Sequence, residues 1–152
     1  MPIAWIYLDK KSATVDAMRD FNDMQFIIDD TPVDISDVRS QMITAKLPAP
    51  LDIPKGTPDP HAGEARLAAS LDEIDILKER YRRALEYMEW FRPAWEVLTD
   101  DERMILKEFY MCSSMRSGAS GRLEARLGYG RAQIDRYRSK ALSRLAVLLF
   151  GK

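Results

Sequence analysis

The residues best equipped for chemistry lie near the C-terminus, in the run Arg131-Ala132-Gln133-Ile134-Asp135-Arg136-Tyr137-Arg138-Ser139-Lys140. Arginine can grip guanine bidentately through O6 and N7, and glutamine can do the same for adenine. Arg131, Gln133 and Arg136 are therefore of the right types to read a major groove. Arg122, Arg126, Arg138, Lys140 and Arg144 are better suited to phosphates, which fix register without reading sequence. Asp135 sits awkwardly in this company; it can pair with a neighbouring arginine or accept from a cytosine amine. Helical spacing puts Ile134, Tyr137 or Arg138, Ala141, Leu142, Leu145 and Leu148 or Leu149 on an inward face. Arg131, Gln133, Asp135, Arg136, Ser139 and Lys140 are left outward. The bland alternative is an amphipathic helix with a solvated basic face.

Positioning such a helix requires the elements just upstream. Arg122 to Leu127 reads as a short helix, Gly128-Tyr129-Gly130 as a tight turn, and Arg131 to Phe150 as a longer helix, the pattern of a helix-turn-helix DNA reader. Before it, Leu98-Thr99-Asp100-Asp101-Glu102 marks a helix start: Thr99 caps, Glu102 takes the capping-box position, and the acids complement the helix dipole. Met104, Ile105, Phe109 and Met111 or Cys112 supply the buried face of that helix. Ser113 to Gly121 reads as a polar, flexible connection.

LTDDERMILKEFYM followed by RLEARLGYGRAQIDRYRSKALSRL resembles region four of bacterial sigma factors. The shared features are the capped acidic helix start, the short helix ending in Leu127-Gly128, and the closing phrase Lys140-Ala141-Leu142-Ser143-Arg144-Leu145. The likeness covers residues 98–150. A looser likeness, from about Met18 onward, is to the small sigma-like regulators of phages and prophages, including ArpU-type late-gene activators. It rests on N-terminal helices, a linker containing Ile53-Pro54-Lys55-Gly56, a long charged helix and then this module. The resemblance implies a transcription regulator bound to double-stranded DNA, with Arg131 and Arg136 matching positions that face DNA in the sigma pattern.

The rest of the chain reads as all-α. Val15, Met18, Phe21, Met24 or Gln25, and Ile28 recur at three- and four-residue steps, so a helix is expected from Ser12 to about Asp29. Thr31-Pro32-Val33-Asp34 is a second start signal, and Ile35, Val38 and Met42 give that helix an apolar face. Residues 1–47 are expected to form a helical hairpin, one kinked rod being the other possibility. Five prolines and two glycines mark 48–63 as a linker, with His61 solvent-exposed. Residues 64–97 read as a long amphipathic helix interrupted near Trp90 to Trp95 by Pro93. Its near-heptad stripe offers Leu67, Leu71, Ile74, Tyr81, Leu85 and Met88 as dimerisation candidates. Residues 98–152 form the DNA-binding region.

Charge follows the same division. From Thr99 to Lys152 there are 11 basic and 6 acidic residues, net +5, against 12 and 18, net −6, over residues 1–98. A basic end for nucleic acid and an acidic end for another task fit this split. The longest apolar run near the C-terminus, Leu145 to Phe150, is far short of a bilayer span, and the N-terminus does not resemble a secretory signal, so the expected location is the cytoplasm and no membrane partner is expected. One cysteine, Cys112, and one histidine leave no zinc-ligand set. Neither a nucleophile–base pair nor a phosphate loop can be assembled, so no enzyme and no cofactor is expected. The partners expected are double-stranded DNA and a second copy of the chain, with RNA polymerase a further candidate. Two other readings stay open: a DNA-binding component of phage genome packaging, and an adaptor that contacts RNA polymerase without binding DNA.

Overall fold

The computed structural model describes residues 9–46, 61–112 and 118–151, in which all regular structure is helical. Five helices follow one another among the described residues: α1 (Lys10–Lys46), α2 (Ala62–Val97), α3 (Asp100–Leu106), α4 (Ala119–Leu127) and α5 (Arg131–Phe150). A π-helical turn, Lys107–Met111, continues α3. No helix among the described residues is long and apolar enough to cross a membrane. Two compact units are present, one drawn from Met1–Met24 and Glu86–Lys152, the other from Gln25–Leu85.

The expected N-terminal hairpin is instead one helix. Thr31 does not cap a second start: it lies inside α1, 1% exposed, with no hydrogen-bond partner for its hydroxyl among the described residues. Proline inside a helix removes one N–H and crowds the carbonyl four residues back, at about 3 kcal/mol. Pro32 points outward, where water can solvate that carbonyl, and a break there would withdraw Val38 from its packing on Ile74 and Leu77. The same physics carries α2 through Pro93. That ring is exposed, while Phe91, Ala94 and Leu98 all enter one core, so the helix ends at Val97 rather than near Trp90. Of the expected linker, all but His61, Ala62 and Gly63 lies outside the described residues; His61 is exposed and Ala62 already opens α2.

In the Gln25–Leu85 unit the buried cluster is small: Val38, Ile74 and Leu77, with Ile35 and Met42 against it. The dimerisation stripe divides. Ile74 is buried, Leu67 and Tyr81 are half-buried, and Leu71 and Leu85 stay exposed. Met88 belongs to the other unit and is also buried.

The other unit is built round Phe91, which has no exposed surface. Phe21, Tyr87 and Trp95 bring their rings to 5.6, 5.4 and 5.7 Å from its centroid. Met18, Leu106, Ala141 and Leu145 complete this core with no exposed surface of their own. Two hydrogen bonds hold α1 here: Asn22 Nδ2 donates to the Met111 carbonyl at 2.6 Å, and the Tyr87 hydroxyl donates to the Ala17 carbonyl. The π turn serves the same core. Its wide step, closed by Cys112 N–H to Lys107 O at 3.0 Å, returns Met111 to the face occupied by Leu106.

Burial, and secondarily the negative charge of Asp20, push the Tyr87 phenol well above its ordinary value of 10.0. A raised phenol favours the protonated folded state, so this contribution is intact below pH 10 and is lost as pH rises through the folded value. Tyr87→Phe should cost about 1 kcal/mol at neutral pH and flatten the loss of stability above pH 10, as read by urea denaturation at stepped pH.

Candidate nucleic-acid interface

α5 is placed by a turn that only certain residues permit. Gly128 closes α4 in the left-handed region, φ 70° and ψ 15°, and its N–H donates to Glu124 O at 3.0 Å. Gly130 then opens α5 in extended geometry, its carbonyl accepting from Gln133 and Ile134 N–H at 3.0 Å. Below the turn, Ile105, Phe109, Ala119, Leu123 and Ile134 form a second apolar cluster. Of the connection expected over residues 113–121, 113–117 lie outside the described residues, and α4 begins at Ala119 rather than Arg122, the Ala119 methyl having no exposed surface.

Side chains on α3, α4 and α5 lock these helices together. Thr99 caps α3, accepting from Glu102 N–H at 3.2 Å and donating to Glu102 Oε1 at 3.1 Å. The same carboxylate oxygen binds Arg144 Nη1 at 2.8 Å, and Arg144 also reaches Val97 O at 3.5 Å. Glu108, only 9% exposed, is bound by Arg122 and accepts a 3.8 Å contact from the Cys112 thiol. Arg122 can lie over the start of α4 because Gly118 lacks a side chain; a Cβ there would strike the guanidinium. Arg138 stands over the Phe109 ring, 4.6 Å from its centroid, with Asp135 3.6 Å away.

Three of the expected phosphate ligands, Arg122, Arg138 and Arg144, carry contacts inside the fold, for physical reasons that lie with their partners. A nearly buried carboxylate needs a cation at Glu108, an aromatic face needs covering at Phe109, and a helix start needs its Glu102 fixed. Of the two roles open to Asp135, pairing with a neighbouring arginine is the one seen here, its carboxylate standing 3.6 Å from Arg138.

Arg131, Arg136 and Lys140 are exposed on α5 and have no ion-pair partner among the described residues; Arg126 on α4 is likewise exposed and unpaired. Asp135, Arg136, Ser139, Lys140 and Ser143 line one shallow surface depression. Gln133 is half-buried, its amide donating to the Tyr137 hydroxyl at 3.2 Å. Tyr129 packs on Tyr137 at 5.3 Å and donates to Asp101 Oδ2 at 3.4 Å. The Asp101 charge, then burial and Tyr137, push the Tyr129 phenol upward, so it stays a neutral donor at neutral pH.

Ser143 and the Tyr129–Tyr137 pair escaped the sequence reading. Ser143 was within reach of helical periodicity, standing seven residues beyond Arg136. The tyrosine pair needed the turn geometry, which folds position 129 back over position 137.

Arg122→Ala should lower stability by about 2–3 kcal/mol in chemical denaturation, since it strands Glu108. Arg126→Ala, one turn along and unpaired, should stay within about 0.5 kcal/mol. Gly128→Ala should cost about 1–2 kcal/mol for a left-handed alanine, measured the same way.

Scans against protein-family models, curated proteins and solved structures found no match for this chain.

Proposed function

We propose that the chain is a sequence-specific transcription regulator that binds double-stranded DNA through α5 and acts as a dimer. On the resemblance of residues 98–150 to sigma region four, it belongs with regulators of the phage and prophage kind. One observation carries the reading. Of the cations around α5, those with internal work are tied down, and Arg131, Arg136 and Lys140 stay free on the exposed side.

An exposed face made of one long cation per turn between small side chains suits a groove. Ser139 and Ser143 keep the helix surface low, so the backbone can approach base edges, and their hydroxyls can donate to phosphates. Arg136 projects from the middle of that face and Arg131 from the first turn, where helix N-terminal residues contact bases in helix-turn-helix readers. Lys140 and Arg126, exposed and without an ion-pair partner among the described residues, are the phosphate contacts this reading favours, and Gln133 donates to Tyr137. One such helix binds weakly; two copies double both the phosphate contacts and the base readout.

The test is a fluorescence-anisotropy titration against duplexes from the DNA flanking the chain's own gene, repeated at several salt concentrations. Arg131→Ala and Arg136→Ala should each lose about 1–3 kcal/mol, roughly 5- to 150-fold, on the preferred site and relax discrimination there. Lys140→Ala should weaken all duplexes alike and lower the salt slope by about 1. Affinity indifferent to both sequence and salt would defeat the reading.

A further inference from the structure

Among the described residues of the Gln25–Leu85 unit, the buried cluster holds three, Val38, Ile74 and Leu77, while Phe26, Val33, Ile43, Leu71, Ile76 and Leu85 are all exposed. On α2 the exposure follows a rule. The heptad-like stripe consists of two columns, and the column of Ile74 and Tyr81 turns inward. The adjoining column, Leu71, Lys78 and Leu85, is exposed at seven-residue spacing.

Charge along the same helix is unevenly divided. Residues 62–75 carry four acids against one base, and residues 76–85 carry four bases against one acid, Glu79. That acid is already bound by Arg82 and Arg83 of its own helix, at 2.7 and 3.1 Å. The segment is therefore negative in its first half and positive in its second. A second copy laid parallel and in register would set acid on acid and base on base. Laid antiparallel, it sets each half against its opposite.

We propose that two chains pair through α2 in antiparallel orientation about a two-fold axis close to Lys78. This rests on the self-association included in the proposed function and specifies its geometry. Leu71 of each chain meets Leu85 of the partner subunit, giving one leucine layer on either side of the axis. Asp75 lies across from Arg82 of the partner subunit. The two Lys78 stems meet at the centre, and each ammonium reaches along the groove toward Asp75 of the partner subunit. A two-fold pairing of this kind is self-complementary and closes at two copies. A lysine at the central position weakens the pair but discourages other registers and larger bundles.

The full-length chain should sediment as a dimer. In a Cys112→Ser background, Leu71→Cys protein mixed with Leu85→Cys protein should oxidise to 71–85 disulfides on peptide mapping, and neither variant alone should cross-link efficiently. Asp75→Arg should raise the dimer dissociation constant about tenfold, two attractive pairs becoming repulsive, and adding Arg82→Asp should restore it. Circular dichroism checks that each variant keeps its helix content. A monomer at the highest attainable concentration would overturn both this geometry and the dimer in the functional reading. A dimer that cross-links 71 to 71 and 85 to 85, or at neither position, would overturn the antiparallel pairing alone, and the DNA titrations would stand apart from it.

Discussion

Burial of Phe91 is the constraint on which the larger core depends. Its ring is sealed by Phe21 of α1 and by Tyr87 and Trp95, one turn before and one turn after it on α2. Around that stack Leu106 of α3 and Ala141 and Leu145 of α5 lose all contact with solvent. Replacing such a ring by a small side chain typically costs 3–5 kcal/mol, so the arrangement tolerates lesser faults nearby. Pro93 is one of these. The helix keeps its course through a proline because the alternative would empty the site that Ala94 and Leu98 fill. Trp90 extends the hold to the far end of α5, donating its indole N–H to Leu149 O at 3.2 Å and packing its ring on Phe150 at 5.4 Å.

A second organising feature is the division of labour among the arginines. Cationic side chains round α4 and α5 are chemically alike, yet they meet different surroundings. Arg122, Arg138 and Arg144 each have an acid or a ring at hand from another turn or another helix, and in those positions the charge is worth more as an internal tie. Arg131, Arg136 and Lys140 have none among the described residues and keep their hydration. A polyanion that displaces water and counterions from these groups would find them without breaking any contact that maintains the fold. This separation lets the proposed DNA contact and the stability of the helices vary independently.

The two units differ in the size of their cores. Among the described residues, the one containing Phe91 has a buried cluster of ten, with Trp90, Val97, Tyr137, Val147 and Leu148 left exposed, whereas the one spanning Gln25–Leu85 has a cluster of three and leaves six large apolar residues exposed, a deficit of core. The charge gradient along α2 gives that deficit a direction, because a helix negative at one end and positive at the other is complementary to its own reverse. Association and DNA binding would then draw on separate sets of residues.

Local chemistry made much of this legible in the chain alone. Periodicity identified the apolar faces of the long helices, Thr99 marked the start of α3, and Gly128 and Gly130 marked the turn, since caps and left-handed positions are decided by neighbours within a few residues. The outward placement of Arg131, Arg136 and Lys140 follows from the same periodicity. What only the tertiary structure decided involves partners far apart in the chain. Glu108 meets Arg122 across 14 residues and Glu102 meets Arg144 across 42, so nothing local distinguishes an arginine that ties helices from one that stays free. Pro32 and Pro93 read as breaks because their cost is local, while the packing that outweighs that cost is not. Whether the α2 stripe was core or interface was likewise undecidable by spacing: one column turned inward and its neighbour stayed out, and that angle is set by the helix it packs against.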